Sequence, residues 1–138
     1  MARTPIVMDG ITYHVGILFD PPLEESFRIE DGPNAGVSLA GTDIRDIRGT
    51  YYDHTLYVEQ DPAYPGDYTA FYRAISAPVP SHTVTMPHDD GDITYSAKVL
   101  SGTREYRGRL AGRRIWKGLK VQLEATAPQR VPGGDGNG

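Results

Sequence analysis

His88, Asp89, Asp90 and Asp92 fall within five consecutive positions, and imidazole with carboxylate oxygens is a ligand set that divalent cations accept. The run lacks the further oxygens of a calcium loop. Asp90-Gly91 is also what a tight hairpin turn selects, so the stretch reads as a solvated turn between two strands. Asp53 and His54 are neighbours, but adjacent residues on a strand point to opposite faces and form no catalytic dyad. His54 is expected to pack among aliphatic side chains with both ring nitrogens satisfied, and His14 and His82 stand alone in strand patterns. No serine occupies a Gly-x-Ser-x-Gly elbow. Asp20, Glu24 and Glu25 match a glycosidase pair in composition only. Gly32 to Gly36 has no Gly-Lys-Ser/Thr and reads as a turn, not as a phosphate cradle. The residues therefore predict no enzyme, no cofactor and no metal.

Two groups of side chains point to binding instead. The chain has nine tyrosines, and Tyr51, Tyr57 and Tyr64 as an exposed row would stack on sugar rings, the basis for a carbohydrate-binding module. The same tyrosines would serve equally as anchors of a protein interface. Arg107, Arg109, Arg113, Arg114 and Lys117 surround two predicted turns, and Asp43, Arg45, Asp46 and Arg48 form a repeated three-residue unit within a long loop. Both groups are candidates for a contact between subunits. Residues 1 to 100 carry 6 Lys/Arg against 15 Asp/Glu, whereas 101 to 138 carry 8 against 3. A basic segment can bind nucleic acid. Here the whole chain is acidic, net −4, and no aromatic-basic RNA motif is present, so the acidic part of another copy is the better partner.

The elements that would position these groups follow from hydrophobic spacing. Ile11, Tyr13, Val15, Ile17 and Phe19 alternate as a first strand that ends at Asp20-Pro21-Pro22, and Ser26 to Glu30 forms a second. Asp31 to Gly49 is a long loop. Tyr52, His54, Leu56 and Val58 mark a third strand. Tyr68, Phe71, Tyr72 and Ile75 recur at i, i+3, i+4 and i+7, predicting a helix over 67–77 whose amides Asp67 opens and which Pro78 and Pro80 stop. A helix of about three turns is marginal alone, so its stripe must lie on a sheet. His82, Val84 and Met86 alternate, Asp90-Gly91 turns the chain, and Asp92 to Leu100 returns. Ser101-Gly102 then predicts another turn before a strand at Arg104 to Leu110. Finally Leu119, Val121, Leu123 and Ala125 alternate with polar residues in a half-buried strand.

At 138 residues the chain suits one domain, taken as 1–130, with the Gly-rich 131–138 expected to be a flexible tail. Sixteen glycines and eleven prolines favour many turns over an all-helical bundle. The fold class expected is mainly β (α+β), a β-sandwich or barrel with one flanking α-helix. With no cysteine there is no disulfide or thiolate chemistry. No apolar run approaches the ~20 residues that span a bilayer, and no leader pattern opens the chain, so folding in the cytoplasm without membrane contact is expected.

The order Gly49 to Glu59, then Asp-Tyr-x-Ala-Phe-Tyr-x-Ala-Ile at Asp67 to Ile75, then Ala-Pro-Val, a strand, and a closing Trp-x-Gly-Leu-x-Val with Pro-Gln-Arg resembles tail proteins of long-tailed bacteriophages and prophages. The likeness runs over about residues 8 to 130 and consists of element order with scattered residues. Tail tube proteins and the N-terminal domain of distal tail proteins share a helix-flanked β-sandwich assembled into hexameric rings. The resemblance thus implies a tail-tube-like fold and a virion component made in the host cytoplasm. Its partners would be copies of itself, as a hexamer, and other tail proteins, with DNA only as passing cargo.

Overall fold

The structure, a computed structural model, describes residues 5–18, 21–32, 36–37, 41, 43–44 and 46–132. Among the described residues nine strands and one helix follow in the order β1 (Ile6–Met8), β2 (Ile11–Tyr13), β3 (Glu24–Asp31), β4 (Gly36–Val37), β5 (Asp43–Ile44), β6 (Ile47–Val58), α1 (Asp67–Ile75), β7 (His82–His88), β8 (Gly91–Leu110) and β9 (Arg113–Ala125). Seven of the strands form one antiparallel sheet in the order β2-β1-β7-β8-β9-β6-β3, and β4 pairs with β5 apart from it. The protein is mainly β with a single helix, as its patterning predicts.

The alternation in β9 explains the centre of the sheet. Leu119, Val121, Leu123 and Ala125 are buried, and their backbones pair with β6 on one side and β8 on the other. Leu56 and Val58 of β6, Val84 and Met86 of β7 and Ala97 of β8 meet them in one core with Ile6, Met8 and Val15. After β2 the chain crosses to the other side of the sheet, where Ile17 bridges Val58 and the Leu18 N–H donates to the Tyr57 carbonyl at 2.8 Å. That crossing curls the sheet around its own apolar face. Helix α1 then covers the core with Tyr68, Phe71 and Ile75, and Phe71 meets Tyr13 edge-on at 5.5 Å between ring centroids.

Several sequence expectations are corrected. β1 was not expected, and its partner β2 ends at Tyr13, since residues 14–16 leave strand geometry on their way to β6. Asp9 and Gly10 both take positive φ in the two-residue turn between β1 and β2, the conformation that Asp-Gly favours. The β7–β8 turn is Asp89-Asp90, because His88 pairs with Gly91. No turn falls at Ser101-Gly102: β8 runs unbroken for 20 residues and absorbs its irregularities as register shifts against β9. β6 begins at Ile47 and two short strands lie in the expected loop. Asp67 opens α1 but its carboxylate accepts the His14 N–H at 2.8 Å, so it ties the helix to the crossing segment instead of capping it. Of the tail expected at 131–138, residues 133–138 lie outside the described residues, as do Phe19 and Asp20.

Beyond Ala125 the chain returns to β6 by an unusual route. The Gln129 carboxamide acts as a piece of strand backbone, accepting from the Tyr52 N–H at 3.0 Å and donating to its carbonyl at 3.1 Å, and Arg130 bridges Thr50. Gly49, at φ 153°, leaves the room this needs: a Cβ there would stand 2.4 Å from the Arg130 carbonyl oxygen and 2.5 Å from Pro128. Gly49→Ala is expected to destabilise the fold by roughly 2–4 kcal/mol through overpacking and backbone strain, read as a lower midpoint in urea unfolding. An unchanged midpoint would contradict this account of the closing segment.

Candidate assembly surface

The β8–β9 ladder outlasts the core beneath it. Leu119 is the last fully buried residue of β9 towards the hairpin tip, yet pairing continues to Leu110 opposite Arg113, through the two-residue turn Ala111-Gly112 in which both φ are positive. The backbone is satisfied along this arm, but its side chains have little of the subunit to cover. Tyr106 is 50% exposed and Leu110 at the tip 71%. Tyr106 and Trp116 face each other at 5.0 Å, and with Arg109 and Arg114 they line an open cleft of about 400 Å³. The base of the arm is held by Arg104, whose guanidinium lies 3.7 Å from the Tyr72 ring centre and 4.0 Å from that of Trp116. One cation thus clamps α1 to the hairpin.

The arm is strongly basic. Thr103 to Lys117 contains six basic residues and one acidic one, Glu105, which pairs with Arg107 at 2.7 Å. Arg109 stands directly opposite Arg114 in the ladder, and like charges so placed repel. Among the described residues no carboxylate pairs with Arg109, Arg113 or Arg114. The arginines of this sequence-predicted group therefore do share one surface.

The second predicted group is elsewhere. Asp43 lies in β5, which pairs with β4, and Asp46 offers its carbonyl to the Gly32 N–H. Arg48 is exposed on β6, and Arg45 lies outside the described residues. Because β6 runs antiparallel to β9, with Thr50 beside Arg130 and Val58 beside Leu119, this group sits at the opposite end of the molecule from the arm.

The proposed tyrosine row does not form. Tyr51 is 6% exposed and lies under the Arg28 guanidinium at 4.3 Å, Tyr57 is half-buried, and Tyr64 is exposed but stacked on His14 at 4.0 Å. Arg28 is the organiser here. It donates to Asp53 at 2.9 Å and to the Ala125 carbonyl at 3.0 Å, while Asp53 accepts the Ala125 N–H, so an ion pair replaces strand pairing at the end of β9. Asp53 and His54 do face opposite sides, as the strand reading requires.

His54 itself departs from expectation. Its Nδ1 lies 2.5 Å from the Tyr95 hydroxyl, but its buried Nε2 has no hydrogen bond and approaches the Glu25 carboxylate at 3.4 Å without aligning for one. Glu25 instead meets Nδ1 of His88 at 2.6 Å. Burial drives the Tyr95 phenol up and the His54 imidazole down, the latter opposed by Glu25. A protonated phenol donating to Nδ1 leaves the ring proton on Nε2, facing Glu25. Strand alternation alone could not reveal this cluster, because β3, β6, β7 and β8 meet only once the sheet curls. Among the described residues no group of three or more His, Asp or Glu is arranged to hold a metal ion, and the His88-to-Asp92 run is a turn.

Compared with known proteins, the chain matches no family model, no curated protein and no solved structure.

The depressed His54 value fixes the sign of a pH effect. An unfolded imidazole titrates near about 6.5, so below that pH the unfolded chain takes up the proton first. The contribution of His54 is complete above about 6.5 and is lost as pH falls through the lower folded value. The melting temperature should fall between pH 7.5 and 5.5, and His54→Gln should flatten that slope. Equal slopes for the two proteins would contradict a neutral buried His54.

Proposed function

We propose that the chain is a structural subunit of a phage tail, of the tube or distal-tail class, that assembles into rings by contacts between copies and carries out no catalysis. The observation that carries this reading is the basic arm: Arg109 and Arg114 oppose each other beside exposed Tyr106 and Leu110, and no described carboxylate of the same chain pairs with them. Repulsion of that kind is relieved when an acidic surface of another molecule covers it. The helix-clad sheet supplies a rigid block from which the arm projects. The two charged ends lie far apart on one subunit, which favours head-to-tail contacts, and those close into rings when the rotation allows. In the assembled tail the neighbours would be further copies, as a hexamer, and other tail proteins. DNA would be passing cargo in the channel of the virion. A carbohydrate-binding platform has less support, since Tyr51 is buried and Tyr64 is occupied by His14.

Size-exclusion chromatography with light scattering tests the reading. Oligomers should grow with protein concentration and weaken between 0.1 and 1 M salt, where the screening length falls from about 10 Å to about 3 Å. A monomer at every concentration and salt would overturn it.

A further inference from the structure

The β3 edge of the sheet has properties opposite to those of the arm. β3 ends the sheet, pairing with β6 on one side and with no described strand on the other. It holds four carboxylates, Glu24, Glu25, Glu30 and Asp31, of which Glu25 meets His88 and Glu30 meets Arg28, against a single Arg28 that also binds Asp53 and the Ala125 carbonyl, so the strand keeps a net negative charge. Phe27 and Ile29, two apart and therefore on one face, are 66% and 47% exposed. Natural edge strands are blunted by lysine, proline or a covering element, and an apolar pair beside an unpaired backbone edge is a surface that invites another chain. Charge selects which chain that is. An acidic strip requires a basic partner, and the arm of this same protein offers arginines around two exposed apolar side chains.

Resting on the assembly reading above, we infer that the arm of one copy, Thr103 to Lys117, docks along the β3 edge of a second copy, with Tyr106 and Leu110 covering Phe27 and Ile29. Arg109, Arg113 and Arg114 then meet the carboxylates of β3, and their mutual repulsion within the arm is relieved. Contact runs along the strand and not into the groove between Ile29, Ile47 and Val131, because Arg130 lines that groove. Donor and acceptor are different patches at opposite ends of the subunit, so the contact is heterologous. Each copy has one of each, and a chain of such contacts uses every arm and every edge.

A charge swap distinguishes this contact from assembly by another surface. Arg109→Glu with Arg114→Glu reverses the arm, and Glu24→Arg with Asp31→Arg reverses the edge; thermal melts of each variant establish that it folds. Followed by light scattering and sedimentation velocity, each variant alone should associate at least about tenfold more weakly than the parent chain. An equimolar mixture of the two should recover parental association, since each reversed surface now finds its complement. Mixing that restores nothing, or variants that associate as the parent does, would overturn the arm-to-edge contact while leaving assembly through other surfaces intact. A parent chain that is monomeric throughout would remove both the contact and the assembly reading.

Discussion

The constraint on which this structure turns is that the β8–β9 ladder continues after the apolar core has ended. Up to Leu119 every second residue of β9 is buried between β6, β8 and the helix, and packing holds the ladder in place. Past it, backbone hydrogen bonds and the Ala111-Gly112 turn keep the two strands paired; Tyr106 packs on Trp116 yet stays half exposed, Leu110 is 71% exposed, and Arg109, Arg113 and Arg114 pair with no carboxylate among the described residues. A two-stranded ribbon without a covered face is marginal in water. The Arg104 clamp between Tyr72 and Trp116 steadies its base, and Leu110 at the tip stays exposed.

The same logic accounts for the polar contacts that surround the core. Ion pairs and side-chain amides appear where strand pairing would otherwise lapse: Arg28 and Asp53 bind both backbone groups of Ala125, and Gln129 binds both of Tyr52. At the β1–β7 corner Asp9 accepts from His82 at 2.6 Å and from the Thr83 N–H, the imidazole holding its carboxyl below the ordinary carboxylate range. Each of these closes an opening in the sheet. On the arm itself Glu105 pairs with Arg107, while Arg109 and Arg114 face each other across the ladder.

Legibility in the sequence followed the range of the interaction. The alternation of Leu119 to Ala125, the stripe of α1 and the strand at His82 to Met86 are local patterns, and each was read with its correct buried face. The Asp9-Gly10 turn carries an equally local signal, a dipeptide that favours two positive φ angles. What local spacing could not give was closure. The crossing from Tyr13 to Val58, the meeting of Glu25, His54, His88 and Tyr95, and the burial of Tyr51 under Arg28 all depend on which strands a curled sheet brings together. Likewise the arginine cluster was visible as a run of charge, but its separation from the Asp43–Arg48 group emerged only from the antiparallel register of β6 and β9.

Under the proposed arm-to-edge contact, copies associate head to tail and not as two-fold dimers, and the proposed ring follows where the rotation per contact closes. Negative-stain electron microscopy of the purified chain at the concentration where it oligomerises observes this directly. The account predicts rings that disperse in high salt. Symmetric dimers as the end state, or particles no larger than one subunit, would contradict it.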